Sequence, residues 1–186
     1  MESKAKALGH PIHPMLIVLP LGLFIAAVVF DLLYLFNENE LFPVVAYYNI
    51  AGGIIGGLLA AVFGFRDWLA IPGGTRAKSV GLWHGLGNVV LVVLFLLSWL
   101  LRRGDPNFVP STLALVFSFL AIGLGTLTAW LGGELVYRLD VAVDPGAHLD
   151  APSSLSGTPA SAGMSAVPVT GREDIDISSD DPLSRP

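Results

Sequence analysis

The chain has 186 residues, 53% hydrophobic and 13% charged, with a formal net charge of −5 and a mean hydropathy of +0.69. Soluble domains carry charge on nearly a quarter of their residues, so that class is excluded. Ten Lys and Arg with no basic run leave no footprint for nucleic acid, and the absence of cysteine removes disulfides, thiolate nucleophiles and iron–sulfur ligation.

Four apolar segments follow one another at approximately 14–36, 44–65, 80–101 and 111–133. Segments of about 22 residues make helices of roughly 33 Å, enough to cross a bilayer core of about 30 Å. The first run exceeds the roughly 7–15 residues of a signal-peptide core, so it is expected to be a retained anchor. The connections 37–43, 66–79 and 102–110 are short. Short connections make successive helices antiparallel neighbours, so the expected fold is all-α, a four-helix transmembrane bundle over residues 14–140. Residues 1–13 form an N-terminal entry ahead of it.

From about Val141 to Pro186 the composition turns to Pro, Ser, Gly, Ala and Asp. Such a stretch buries too little apolar surface to offset the entropy of ordering, and a disordered acidic tail is expected.

Lys4, Lys6, Arg66, Arg76, Lys78 and Arg138 fall at one end of the bundle, and only Arg102 and Arg103 at the other. The positive-inside bias then puts both termini in the cytoplasm and the protein in the cell membrane. Small residues recur every four positions on the second segment, at Gly52, Gly56, Ala60 and Gly64, and the fourth repeats the theme. That spacing lets helix backbones approach closely, and it would also make room for a flat cofactor.

The chemistry-bearing residues gather at the basic end. His10 and His13 lie in the doubled His-Pro just before the first segment, and His84 lies about one turn into the third. Asp67 closes the second segment and Glu134 the fourth. In an up-down-up-down bundle all five are expected in one layer, and ionisable groups at such depth mark function by default. Asn88 stands one turn beyond His84 on the same helix face. Pairing alone is the plainer expectation for the carboxylates, Asp67 with Arg66, Arg76 or Lys78 and Glu134 with Arg138. Asp31 reads as an interfacial acid at the opposite end. His148 lies in the tail, apart from the others.

His13 and His84 each open an odd-numbered segment, and Asp67 and Glu134 each close an even-numbered one. The chain is therefore readable as two copies of one helical hairpin, related by a pseudo-twofold along the membrane normal that sets the two histidines across the bundle from each other.

At these same residues the chain resembles a known family. GHPIHPMLIVLPLGLF (Gly9–Phe24), RDWLAIPGGTRAKSVGLWHGLGN (Arg66–Asn88) and WLGGELVYR (Trp130–Arg138) resemble the predicted membrane proteins grouped as domain of unknown function 2231. Relatives joined to Rieske-type or cytochrome c-like modules imply a redox setting, with a redox protein or respiratory-type complex as partner. This chain carries neither module. Many relatives continue after LVYR with a His-Gly, where this chain has Leu139-Asp140.

Three functions follow. In the first, His13 and His84, with His10 as alternate and Asn88 alongside, bind haem b in an electron-transfer subunit. In the second, His10, His13, His84, Asp67 and Glu134 hold zinc, iron or manganese or handle protons. In the third, the layer fastens an accessory subunit whose partners are the lipid bilayer and a larger complex, or a second copy of itself.

Overall fold

A computed structural model describes residues 1–163. The four expected spans are present, each longer than its apolar stretch. The first comprises α1 (Ile12–Leu16) and α2 (Val18–Asn37), followed by α3 (Leu41–Ala70), α4 (Arg76–Leu101) and α5 (Thr112–Tyr137). All four are long and apolar enough to cross a membrane. Hydropathy located the spans and understated their ends, because polar residues there still form helix. Thr75 caps α4 by accepting a hydrogen bond from the Lys78 N–H, and Ser111 caps α5 through the Ala114 N–H. The offset between α1 and α2 lies where Pro20 has no N–H for the carbonyl of Leu16. His13 sits inside α1, behind the N-cap Pro11, and not at the cap itself.

α2 packs along α3 and α4 along α5, while α3 and α4 touch more lightly and α2 and α5 only sparsely. The bundle is thus two hairpins laid side by side. Three residue pairs at corresponding positions meet across the line between them: His13 with His84, Phe24 with Phe95, and Asp31 with Arg102. The members of each pair stand 71 positions apart, 13 and 84, 24 and 95, 31 and 102. On α3 and α5 the corresponding offset is 68, from Ala60 to Thr128 and from Gly64 to Gly132. One pseudo-twofold therefore relates the hairpins, and these three pairs lie on it.

The pairs differ by depth. At mid-span Phe24 and Phe95 stack face to face, centroids 4.0 Å apart, within a core that includes Ala27, Ala46, Ile50, Leu91 and Ala121. At the end far from the histidines, Arg102 donates to both carboxylate oxygens of Asp31 at 2.6 Å and reaches the hydroxyls of Ser98 and Ser118. Both charges are wholly buried. Asp31 is therefore not an interfacial acid. Its axial position faces it with a buried charge able to balance it.

Above the histidine end, the chain before α1 forms a two-stranded hairpin, β1 (Lys6–Ala7) and β2 (His10–Pro11). It turns through Leu8 and Gly9, both at positive φ. The chain beyond α5 folds back against it. The Met1 ammonium bonds Asp140, Ala142 donates to the Met1 carbonyl, and Lys6 bonds Asp144 and Glu2. Hydrogen bonds donated to these carboxylates, Asp144 foremost, hold the Lys6 ammonium above its ordinary pKa. Val141 is buried with Ile71 and Leu135. Residues 141–163 thus run in turns against the N-terminal hairpin, where the composition suggested a free tail. Its acidic end, 164–186, lies outside the described residues.

Candidate functional site

The histidine pair is built from four helices. His13 comes from α1 and His84 from the first turns of α4, and α3 and α5 supply their seats. The Nδ1–H of His13 donates to the Ala60 carbonyl at 2.9 Å, and that of His84 to the Thr128 carbonyl at 2.8 Å. A carbonyl only accepts, so each Nδ1 carries a proton, and in the neutral ring that leaves a lone pair on each Nε2. The rings lie edge to face at 88°, with centroids 6.3 Å apart. Neither ring is fully buried.

Glycine makes the seats. A Cβ on Gly64 would lie 2.8 Å from two ring atoms of His13, and one on Gly132 would lie 3.2 Å from Cε1 of His84. Further along α3, a Cβ on Gly53 would meet the Phe24 ring at 2.5 Å. The small face on α3, and α5 at Gly125 and Gly132, are therefore occupied by the chain's own side chains.

The two imidazoles differ in their surroundings. The Asn88 amide nitrogen donates to the carbonyl of His84 at 2.8 Å and lies 3.3 Å from its Nε2. The Asn88 oxygen accepts from the Thr128 hydroxyl at 3.2 Å. Four residues beyond His13 stands Ile17, and Ala60 occupies the place corresponding to Thr128, so His13 has no such ring of polar neighbours.

The five residues stay toward one end of the bundle but do not gather on one position. Asp67 is buried and accepts from the Ser3 hydroxyl and the Lys4 N–H, which pin the N-terminus to α3. It pairs with none of Arg66, Arg76 and Lys78; Lys78 instead bonds the Trp68 carbonyl and lies over the Trp68 ring. Glu134 pairs with Arg76 across helices and not with Arg138. His10 is exposed beside Ser154, and His148 contacts the Ala162 carbonyl. Among the described residues no three His, Asp or Glu side chains converge on a shared metal position. The reason is register. The offset of 68 between α3 and α5 sets Asp67 against Leu135, and Glu134 against Arg66. One residue is about 100° of helix, enough to turn a matched acid to another face.

Sequence reasoning missed the pair Asp31–Arg102. The spacing of 71 already seen between His13 and His84 was the signal that could have found it.

Four long apolar helices in two repeated hairpins, with an ionisable pair on the axis, define a multi-pass membrane protein. The chain belongs to the predicted membrane protein family DUF2231, whose pattern matches residues 9–145 and so takes in both histidines and all four spans. No curated protein and no solved structure matches it.

Proposed function

We propose that this protein is an electron-transfer subunit of the cell membrane that holds one b-type haem between His13 and His84, with both termini in the cytoplasm. The observation that carries the reading is the matched imidazole pair, each ring fixed by a carbonyl with its Nε2 lone pair free of a proton. A ligating histidine characteristically donates its other ring N–H in this way, which sets tautomer and orientation. Imidazole nitrogen is a ligand that suits haem iron, and His13 and His84 are the two residues that would hold it. The rings here stand 6.3 Å apart.

The donor set favours a cofactor that brings ligands of its own. Two neutral nitrogens complete the coordination of a haem iron, whereas a bare zinc or manganese ion calls for further protein ligands. Asp67 and Glu134 are engaged elsewhere. Bound haem would supply a one-electron couple in a low-dielectric setting. The chain's own part is to hold the two rings at fixed separation through Ala60 and Thr128, and to exclude water beneath them with the stacked Phe24 and Phe95.

An absorption spectrum of detergent-purified protein, expressed with ample haem and paired with metal analysis, tests this. A Soret band is expected, with sharp low-spin α and β bands on reduction. His13→Ala and His84→Ala should each abolish or shift them, and His148→Ala should leave them intact. Loss of haem in His10→Ala in place of His13→Ala would reassign the ligand. A colourless protein with bound zinc, iron or manganese would replace the haem reading with a metal site, and one with neither would leave an accessory subunit.

A further inference from the structure

We propose that Asn88 is a positioning residue that latches the open ligand nitrogen of His84, making the two imidazoles unequal. The inference rests on the reading of His13 and His84 as a ligand pair and deepens it.

The hydrogen-bond directions are fixed by groups that act in one sense only. The carbonyl of Thr128 accepts, so the Nδ1 of His84 must donate, and in the neutral ring its Nε2 carries the lone pair. The carbonyl of His84 also accepts, so the atom of Asn88 2.8 Å from it is the amide nitrogen, not the oxygen. That same nitrogen reaches Nε2 at 3.3 Å. The Asn88 oxygen then faces the Thr128 hydroxyl, which donates to it at 3.2 Å. Every direction agrees, and together they leave one arrangement. Asn88 is tied to α4 by the His84 carbonyl and to α5 by Thr128, with an N–H over the lone pair that a metal would use.

His13 has no counterpart to this latch. An incoming ion therefore meets a free nitrogen on His13 and a hydrogen-bonded one on His84. Holding a metal at His84 would require the Asn88 N–H to leave its Nε2. The amide keeps its shorter bond to the His84 carbonyl when it does so. The bond to Nε2 is long and neutral, so the latch should lower affinity by the worth of one weak hydrogen bond, a factor of about 2–10.

The test compares the full chain in detergent with Asn88→Leu, which keeps the branched shape and removes the N–H. Asn88→Ala serves as a second variant that adds no branching, and Thr128 keeps a bond to the Gly125 carbonyl in both. Ring ¹⁵N spectra of histidine-labelled, cofactor-free protein should show His84 as the Nδ1–H tautomer. Its Nε2 resonance should move in both variants to that of a lone pair without a donor, while His13 stays in place. Haemin titration should give affinities about 2–10-fold tighter in the variants. An unmoved Nε2 resonance in both variants, an Nε2–H tautomer of His84 in the parent, or weaker haemin binding with intact melting would overturn the latch. If no form binds haemin or zinc, the ligand-pair reading falls, and the ring spectra alone decide whether Asn88 holds His84.

Discussion

Asp31 and Arg102 are each wholly buried, and among the described residues each is the other's ion-pair partner. Removing one partner of such a pair strands the other, at a typical cost of about 3–5 kcal/mol. Asp31→Ala should therefore lower the melting temperature sharply in detergent. The pseudo-twofold makes a stronger prediction, because 31 and 102 are corresponding positions. The exchange Asp31→Arg with Arg102→Asp should recover part of the loss suffered by either single change. Recovery will be incomplete, since Arg102 has Ser98 and Ser118 to bond and the places corresponding to them hold Ala27 and Ile50. A double variant no more stable than the singles would show that the two sites are not equivalent. The Lys6 cluster gives a prediction in pH. Its pKa is raised in the folded state, so its contribution is complete below the unfolded value of about 10.4 and is lost as pH climbs through the higher folded one. Proteolysis within residues 145–163 should accelerate in alkali, and Lys6→Met should show the same acceleration at neutral pH.

At the scale of the helix, α3 and α5 are shaped by what leans on them. Gly64 and Gly132 occupy the same place in the two hairpins, each beneath an imidazole, but the clearance is tighter at Gly64. Gly64→Ala should therefore displace His13 more than Gly132→Ala displaces His84. Ring ¹⁵N spectra read each displacement as loss of the Nδ1–H bond to the carbonyl. Equal effects, or none, would mean that the rings have room to shift. The recurrence of small residues was legible on the second segment from sequence alone. Whether a cofactor or the chain's own rings fill those faces was not, because spacing identifies a smooth face and not its neighbour.

For the whole molecule, Met1 and Asp140 are bonded to each other, so the first and last described spans open on one side. Reporter fusions after Phe42 and Pro106 should read outside and fusions after Arg76 and His148 inside, from the excess of Lys and Arg at the histidine end. The bias is stronger than the bare count suggests, since Arg102 is buried in its ion pair and only Arg103 remains free at the far end. An inverted pattern would move the histidine pair to the outer face. Truncation after Asp150 should cost little stability. Truncation after Leu139 should cost more, because it removes the buried Val141 and the partners of Met1 and Lys6.

Four spans, their antiparallel order and the placing of His13 and His84 at one end of the bundle were all present in the linear chain. Hydropathy and connection length are properties of neighbouring residues, and they suffice to choose helices and set each against the next. The repeat was visible too, though one residue out of register on its second arm, since it was judged from Asp67 and Glu134. Only the tertiary structure decided which charges meet. A helix turns about 100° per residue, so a pairing between helices depends on registers that no local pattern specifies. That rotation joins Asp31 to Arg102, sends Asp67 to Ser3 and Glu134 to Arg76, and leaves two histidines facing each other on the axis.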